Sequence, residues 1–244
     1  MRIKTIKYLN LILRTIFGGL PAFVGIETQT KCNLCCEYCP NSTIKRTFRE
    51  MSLEMFIKIC STLSSAGFTG ALHLHGYGEP LMDNRLCDLI KIAKRLLPHS
   101  TICVATNGDL LNSSLETHLS EVGLDRLIIT RHDGGRLLPI RYVGKMKVEE
   151  GPIINTIHNR CGLIKLKKVK WKRLRICTES FHPFITANGD ICFCCHDYNA
   201  LQGFGLNVND NEWLPKWCSS KNHLLAVVGP RPNACRSCRI GEYK

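Results

Sequence analysis

Three cysteines near the start of the chain are spaced as ligands of one metal centre. They form a C-x3-C-x2-C loop and are Cys32, Cys36 and Cys39. Cys35 is an extra thiol inside the loop. An iron–sulfur cube normally takes four thiolates, so a loop offering three would leave one iron open for a chelating ligand. The alternative is a zinc or structural site with His73 or His75 as its fourth ligand. Because these histidines alternate with leucines on a strand, we expect them to face outward or to be hydrogen-bonded within the fold.

A second group of cysteines lies near the end of the chain. Seven of the fifteen cysteines fall between residues 177 and 244, and Asn188–Gly189, the dipeptide most typical of a tight hairpin, lies among them. A hairpin brings its two strands together, and a terminal CxxC can close over them without any disulfide. The converging thiols would be Cys177, Cys194, Cys235 and Cys238. Cys195 is a rival to Cys194, since neighbours on a strand point to opposite faces. A zinc ribbon built from the same cysteines stays open as an alternative.

The elements that must position the first loop alternate along the chain. We predict strands over 22–28, 69–75, 101–106 and 125–130, and helices over 52–66, 84–97 and 113–122. This βαβαβαβ order predicts an α/β fold with a parallel sheet and right-handed crossovers. The cysteine loop directly follows the first strand, so it would lie at the carboxyl rim of an open parallel barrel, where active sites are built.

Four segments are predicted from the composition of the chain. They are a basic amphipathic helix over 1–20, a barrel core over 21–150, a last barrel strand with a basic connector over 151–176, and a cysteine-rich module over 177–244. We expect the N-terminal helix to pack on the body, with contact to a membrane surface as the alternative. The remaining barrel thiols, Cys60, Cys87, Cys103 and Cys161, are expected in the core, while Cys192 and Cys218 have no assigned role.

The net charge and the number of cysteines limit which partners and which cellular compartment we expect for the chain. The chain has 244 residues, 33 Lys+Arg against 20 Asp+Glu, a net charge of +13, and 44% hydrophobic residues. This is globular composition, and no apolar run reaches the roughly 18 residues of a membrane span. An odd cysteine count in a chain long enough to bury its own core argues against a disulfide scaffold. We therefore expect a cytoplasmic protein with free thiols, and an acidic partner.

The motifs together resemble the radical S-adenosylmethionine (SAM) superfamily. In that family three cysteines hold a [4Fe–4S] cluster, SAM chelates the fourth iron, and the aromatic residue before the third cysteine, here Tyr38, lies near adenine. A Gly-Gly-Glu-Pro-like segment follows the second strand; here it reads GYGEP, with Tyr77 replacing a glycine. The resemblance implies SAM contacts from Tyr38, Gly76, Tyr77, Gly78, Glu79, Pro80, Thr106, Asn107, Gly108 and Thr130.

The C-terminal cysteines resemble the short "twitch" form of the SPASM-like auxiliary module of this superfamily. The resemblance implies a second [4Fe–4S] cluster held by Cys177, Cys194, Cys235 and Cys238, with Cys195 as the rival to Cys194. The segment over 205–217 is similar to a stretch that these modules carry. The fold implied is a partial (β/α) TIM-like barrel with a small cysteine-rich β-hairpin and helix module. The cofactors implied are two [4Fe–4S] clusters and SAM.

The resemblance implies an oxidoreductase that forms a 5′-deoxyadenosyl radical and uses the auxiliary cluster to accept an electron. NRCG, residues 159–162, resembles a stretch of the dehydrogenase branch, which makes Arg160 the substrate-contact candidate. We expect dehydrogenation of a small polyol, amino-sugar or phosphorylated metabolite, with flavodoxin or ferredoxin as electron donor. The alternatives are maturation of an acidic ribosomal peptide, and a non-enzymatic metal-bearing nucleic-acid binder using the basic segment 165–175. No side chain stands out as a general base. Residues 131–133 (Arg-His-Asp) follow the last clear strand and could face the active site, but a surface loop explains them equally well.

Overall fold

The fold is taken from a computed structural model that describes residues 19–130, 140–150, 156–172, 179–200, 205–220 and 233–242. The predicted N-terminal helix, residues 131–133 and Cys177 lie outside these ranges. None of the described helices is long and apolar enough to cross a membrane.

The main sheet has eight strands, and its central six are parallel. The strand order is β10-β9-β1-β2-β3-β4-β6-β5, with antiparallel pairing only between β9 and β10 and between β5 and β6. The strands are β1 (Phe23–Ile26), β2 (Ala71–His73), β3 (Thr101–Thr106), β4 (Arg126–Ile129), β5 (Arg141–Val143), β6 (Met146–Glu150), β9 (Phe184–Ile185) and β10 (Ile191–Cys192). The predicted α/β class with a parallel sheet is therefore confirmed, and the four predicted barrel strands are present.

Three helices cross over between the first four strands. They are α1 (Leu53–Ser65), α2 (Leu86–Leu96) and α3 (Ser113–Glu121). The Ser52 hydroxyl accepts a hydrogen bond from the Met55 amide and so caps α1. Gly67, in the left-handed region at φ +74°, ends the same helix. The helices cover the sheet with apolar side chains, and this packing buries Cys60 and Cys103 as expected.

The predicted hairpin around Gly189 is present, and it extends the main sheet. Its first strand, β9, pairs in parallel with β1, so that Gly25 lies opposite Phe184. Gly189 adopts φ +83°, which favours glycine. The following segment adds α4 (Trp213–Cys218), whose buried Trp213 and Trp217 belong to the same core as the barrel helices. The first strand and the C-terminal cysteines are thereby held in one body.

A smaller antiparallel sheet carries the remaining strands. Its order is β7-β11-β8, comprising β7 (Thr156–His158), β8 (Trp171–Lys172) and β11 (Ile240–Glu242). The segment over 151–176 is predicted to hold a last barrel strand, but its described strands, β7 and β8, both belong to this smaller sheet. Antiparallel pairing sets His158 opposite Ile240. This register brings the residues after β7 beside the helix α5 (Asn233–Ser237) and Cys238, which precede β11.

Candidate active site

The three-cysteine loop opens into a cavity at the carboxyl ends of the parallel strands. Cys32, Cys36 and Cys39 all line this cavity, whose volume is roughly 440 Å³. Cys35 is exposed and does not line it. Burial raises the pKa of all three lining thiols above the ordinary cysteine value. The loop therefore presents three sulfurs inward and one outward, which agrees with the C-x3-C-x2-C spacing.

Glu27, the residue after β1, anchors the GYGEP loop to the barrel. Its carboxylate accepts hydrogen bonds from the Tyr77 amide at 2.9 Å and the Gly78 amide at 3.2 Å. Arg46 forms a bidentate ion pair with the same carboxylate, including a 2.9 Å contact from Nη1 to Oε1. A buried carboxylate needs such partners, because an unpaired buried charge is costly. The Glu27 carboxylate thus holds the GYGEP loop in place, and the Arg46 guanidinium neutralises the charge of that carboxylate.

The small residues of this loop permit its close approach to the cysteine loop. A Cβ at Gly78 would lie 2.2 Å from the carbonyl oxygen of Gln29, and a Cβ at Gly76 would lie 2.7 Å from the Cβ of Glu27. Tyr77, between them, has room, and its ring packs edge-on against Tyr198 at 4.7 Å between centroids. The departure from a Gly-Gly pair therefore falls at the position where a side chain fits.

Glu79 joins the GYGEP loop to the TNG segment after β3. Its carboxylate accepts hydrogen bonds from the Thr106 hydroxyl at 2.6 Å and the Asn107 amide at 2.9 Å. Asn107 in turn donates to Asn33 in the cysteine loop at 2.8 Å. These contacts tie together three chain segments that are far apart in sequence.

The cavity contains most of the residues that the resemblance assigns to SAM. Its lining includes Tyr38, Gly76, Tyr77, Gly78, Glu79, Thr106, Asn107 and Thr130. Pro80 and Gly108 do not line it; Pro80 is buried at the start of a short 3₁₀ turn, and Gly108 adopts φ +83° beyond the β3 edge. Both shape the backbone of the loops on which the lining residues lie.

Two histidines on β2 and just after it also line the cavity. His75 Nδ1 accepts a hydrogen bond from the Ala105 amide at 3.2 Å, and the His73 ring stacks on Phe23 at 4.8 Å. Burial lowers the pKa of His73 to about 4 and that of His75 to about 3. Of the two expected placements, outward-facing or hydrogen-bonded within the fold, His75 takes the second. Both rings are neutral near pH 7.

Arg160 brings a cation into the same cavity from the turn after β7. Its guanidinium lies 5.4 Å from the centroid of the Tyr77 ring and donates to Nδ1 of His196. Burial alone would lower the pKa of Arg160, but its neighbours, first Tyr77 and then Cys195, hold the pKa above the ordinary value. Its Nε is buried without a hydrogen-bond partner among the described residues. Arg160 therefore brings a half-buried positive charge, with a buried Nε–H that has no partner among the described residues, beside the three thiols.

A second group of thiols lies behind Arg160. The Cys161 thiol lies near those of Cys194 and Cys238, and Cys235 belongs to a small buried cluster with Phe193 and Cys194. Hydrogen bonds from Cys161, and with them one from His158, lower the pKa of Cys238 to about 5. The expectation that Cys161 is a core thiol is therefore wrong: the turn after β7 aims it at the C-terminal cysteines.

Cys194 and Cys195 point to different places. Cys194 lies beside the thiol of Cys161, whereas Cys195 lines the cavity, where its Sγ lies 3.5 Å from a carboxylate oxygen of Glu179. Both residues lie in the bend and turn that follow β10, which ends at Cys192. Of the other cysteines, Cys87 is partly buried on α2, and Cys192 and Cys218 are buried.

Several residues of this site are not predicted from the sequence. Glu27 and Arg46 hold the GYGEP loop, and His158 stacks on His196 at 3.8 Å between centroids, linking Cys238 to Arg160. An acidic residue directly between a strand and the cysteine loop could have indicated Glu27. The histidine pair has no such sequence signal, because its members are 38 residues apart and meet only through β7 and β10.

The basic segment is largely a solvated surface in its described part, residues 165–172. Lys165, Lys167, Lys168, Lys170 and Lys172 are exposed, while Val169 between them is buried. This pattern is that of an exposed loop, leading into β8, with one buried apolar residue. Residues 173–175 lie outside the described ranges.

The geometry defines a class of protein, and comparison with known families agrees with it. Residues 26–141 match the model of the radical SAM superfamily. Over these residues, just under half of the chain, the sequence is similar to radical SAM enzymes. The three inward thiols and the close-packed GYGEP loop fit the [4Fe–4S] cluster and the SAM that this superfamily uses. The non-enzymatic alternative is set aside.

Individual proteins and solved structures are also similar to this chain. The chain is 26% identical over 232 residues to the SAM-dependent 2-deoxy-scyllo-inosamine dehydrogenase of Niallia circulans, covering 89% of this chain and 92% of that protein. It is 32% identical over 121 residues to the GTP 3′,8-cyclase of Chlorobaculum tepidum, of whose length it spans only 34%. The crystal structure of BtrN in complex with AdoMet and 2-DOIA has the same fold, with a TM-score of 0.77 at 24% identity, covering 90% of this chain and 93% of that one.

Proposed function

We propose that the chain is a radical SAM dehydrogenase that oxidises a carbinol of a small polyol, amino-sugar or phosphorylated metabolite. The observation that carries the proposal is that Arg160 and the three thiols Cys32, Cys36 and Cys39 line one cavity. A substrate held by Arg160 would lie within reach of the SAM site. The near end-to-end similarity to the dehydrogenase of Niallia circulans supports the same reaction class.

Cys32, Cys36 and Cys39 would hold the cluster, which together with SAM would supply the radical chemistry for removal of a hydrogen atom from a substrate carbon. The chain's own residues do the positioning. Glu79, Thr106 and Asn107 fix the loops around SAM through the hydrogen bonds described above. Arg160 and Tyr77 form the wall on which the substrate would be oriented.

The charges of the cavity favour an acidic or phosphorylated substrate within this class. Arg160 is a half-buried cation whose buried Nε–H has no partner among the described residues. A guanidinium binds carboxylate and phosphate oxygens through parallel hydrogen bonds. His73 and His75 are neutral near pH 7, so Arg160 supplies the positive charge among the described lining residues. Glu79 faces Thr106 and Asn107 and is already hydrogen-bonded. An amino-sugar would have to keep its ammonium group away from Arg160.

The proposed oxidation also needs an acceptor for the electron left on the substrate radical. We assign this role to an auxiliary [4Fe–4S] cluster, for which Cys194, Cys235 and Cys238 supply thiols. The resemblance assigns the fourth ligand to Cys177. A physiological reductant such as flavodoxin or ferredoxin would deliver the first electron. A cytoplasmic location is proposed with it, because free thiols and iron–sulfur clusters persist in reducing compartments.

The proposal is tested by product analysis with the anaerobically reconstituted enzyme, SAM and dithionite. A panel of a neutral polyol, an amino-sugar and phosphorylated polyols is incubated in parallel with an acidic peptide. We expect 5′-deoxyadenosine formation to rise with one of the small molecules, with one ketone formed per 5′-deoxyadenosine. The Cys32/Cys36/Cys39→Ala variant is the control and should form neither product. A peptide-dependent rise that no small molecule matches would replace dehydrogenation by peptide maturation.

A further inference from the structure

We infer that an acidic electron-carrier protein docks on the surface beside the cysteine loop. This inference rests on the proposed function, which needs a protein reductant, and it names the surface that the reductant would contact. Three exposed cations and one exposed aromatic ring form this surface: Lys31, Lys45, Arg49 and Phe48, whose side chain is 45% exposed. We call these four residues the docking face.

The docking face is joined to the segment that leads into the cysteine loop. The Thr30 amide donates to the Arg49 carbonyl at 3.0 Å, and the Arg49 amide donates to the Thr30 hydroxyl at 2.9 Å. Lys31 follows Thr30 and directly precedes Cys32. Its ammonium group lies 4.3 Å from the centroid of the Phe48 ring. An electron carrier bound here would therefore lie beside the loop that would hold the SAM-binding cluster.

The cations of the docking face are not neutralised within the described part of the chain. None of the three forms an ion pair with a described residue, and Glu50, which follows Arg49, is paired with Arg85 at 3.2 Å. The ranges outside the described ones contain a single acidic residue, Asp133. Charge complementarity steers the encounter of two proteins and raises association rates by about 10- to 1,000-fold. An acidic partner is therefore the one that this face favours.

A groove beside the docking face carries the same sign of charge. Its volume is roughly 280 Å³, and both Lys45 and Arg49 line it. Arg46, which also lines the groove, is neutralised by the buried carboxylate of Glu27. Lys45 and Arg49 therefore outnumber the one carboxylate among the lining residues, that of Asp190. The groove adds a recess in which acidic side chains of the partner would be bound.

The make-up of the docking face favours a folded protein over a nucleic acid. Encounters between electron-transfer proteins bury little surface, and aromatic residues are enriched at the centre of protein interfaces. Three cations around the exposed Phe48 ring agree with such a contact. Nucleic-acid backbones are bound by larger sets of basic residues. The chain holds a longer basic run elsewhere, in the exposed lysines of residues 165–172.

The test compares two reductants on the same full-length, anaerobically reconstituted enzyme. SAM is supplied with either photoreduced flavodoxin or saturating dithionite, and the rate of 5′-deoxyadenosine formation is measured at low and at high ionic strength. The variant of the docking face is Lys31→Glu/Lys45→Glu/Arg49→Glu. The matched control replaces three exposed lysines of the other basic surface by glutamate, which changes the net charge equally: Lys165→Glu/Lys167→Glu/Lys168→Glu.

With flavodoxin at low ionic strength, the docking-face variant should be at least about tenfold slower than the wild type, because it loses electrostatic steering. The difference should shrink at high ionic strength, where salt screens exposed charges. With dithionite, which needs no docking, the two rates should agree. The control variant should keep the wild-type rate with both reductants. A milder variant, Lys31→Gln/Lys45→Gln/Arg49→Gln, should show the same pattern with a smaller loss.

A flavodoxin-driven rate that is unchanged in both docking-face variants would overturn the inference alone. An equal loss in the docking-face variant and the control would also overturn it, since net charge and not this face would then set the rate. Salt-sensitive binding of a single-stranded RNA that only the docking-face variants lose, with their flavodoxin-driven rates unchanged, would replace the electron carrier by a nucleic acid. No 5′-deoxyadenosine from the wild type with dithionite would overturn the proposed function instead.

Discussion

The Tyr77 hydroxyl donates a 2.7 Å hydrogen bond to the carbonyl oxygen of Cys195, joining the GYGEP loop to the C-terminal thiol segment across 118 residues of sequence. The Tyr77 ring also contacts Arg160 and Tyr198. In the GYGEP loop, Tyr77 stands where the family carries the first of two glycines. In this chain, Tyr77 is the residue through which the GYGEP loop contacts the C-terminal thiol segment.

Tyr77→Phe should destabilise the fold by leaving the Cys195 carbonyl without its partner. The expected loss in the free energy of unfolding is about 1–3 kcal/mol, since a buried polar group loses its hydrogen bond. Urea unfolding followed by circular dichroism measures it. Tyr142→Phe is the matched control, because Tyr142 is 67% exposed. Equal midpoints for the two variants would show that the Tyr77 hydroxyl contributes nothing to stability.

The cysteines of the first loop should differ sharply in iron binding. Cys36→Ala should lower the iron content of the reconstituted enzyme from about eight to about four per chain, since Cys36 lines the cavity. Cys35→Ala should leave it unchanged, because Cys35 is exposed. Iron and sulfide analysis of the two single variants decides between them. Loss of iron from Cys35→Ala would mean that the loop uses a different set of three thiols.

Arg160→Gln should weaken the use of an acidic substrate. A hydrogen bond to a charged group contributes about 1.5–3 kcal/mol, so kcat/KM should fall roughly 10- to 150-fold. Arg160→Lys should restore little of it, because lysine lacks the planar fork of donors. Cleavage of SAM without substrate should persist in both variants. A fall in that uncoupled cleavage equal to the fall in kcat/KM would place Arg160 in SAM binding instead.

Three half-buried histidines, His73, His75 and His182, should make the fold less stable in acid. Burial lowers the folded pKa of His73 and His182 to about 4 and that of His75 to about 3, below the unfolded value of about 6.5. Between these limits the unfolded chain binds more protons, so stability is full above about pH 6.5 and is lost as the pH falls. At pH 5 each histidine should cost about 1–2 kcal/mol relative to pH 7.5.

Urea unfolding at a series of pH values between 5 and 7.5 measures this dependence. His73→Gln should flatten the slope of stability against pH, while the exposed His99→Gln should leave it unchanged. A slope that is the same in wild type and His73→Gln would assign the acid sensitivity to other groups.

Hydrophobic periodicity and motif order were enough for much of this fold. Strand β3 occupies the predicted residues 101–106, and Ser52 caps α1 as expected, because both signals are local. The hairpin is likewise predicted from the Asn188–Gly189 dipeptide alone, and Gly189 does adopt a positive φ. The parallel pairing of β9 with β1 was not, since no local pattern encodes which distant strand a short strand will join.

The candidate site can likewise be divided into features that follow from the sequence and features that depend on the tertiary structure. By itself the sequence determined the three-thiol loop, the glycine-rich loop and their order at strand ends, because spacing along a chain limits which thiols can share one metal. Only the tertiary structure decided which of Cys194 and Cys195 lines the cavity, and that Cys161 lies near Cys238. The first outcome depends on the turn after β10, and the second on a left-handed turn held by Asn159 and Ser237. Those contacts exist only after strands more than 80 residues apart have paired.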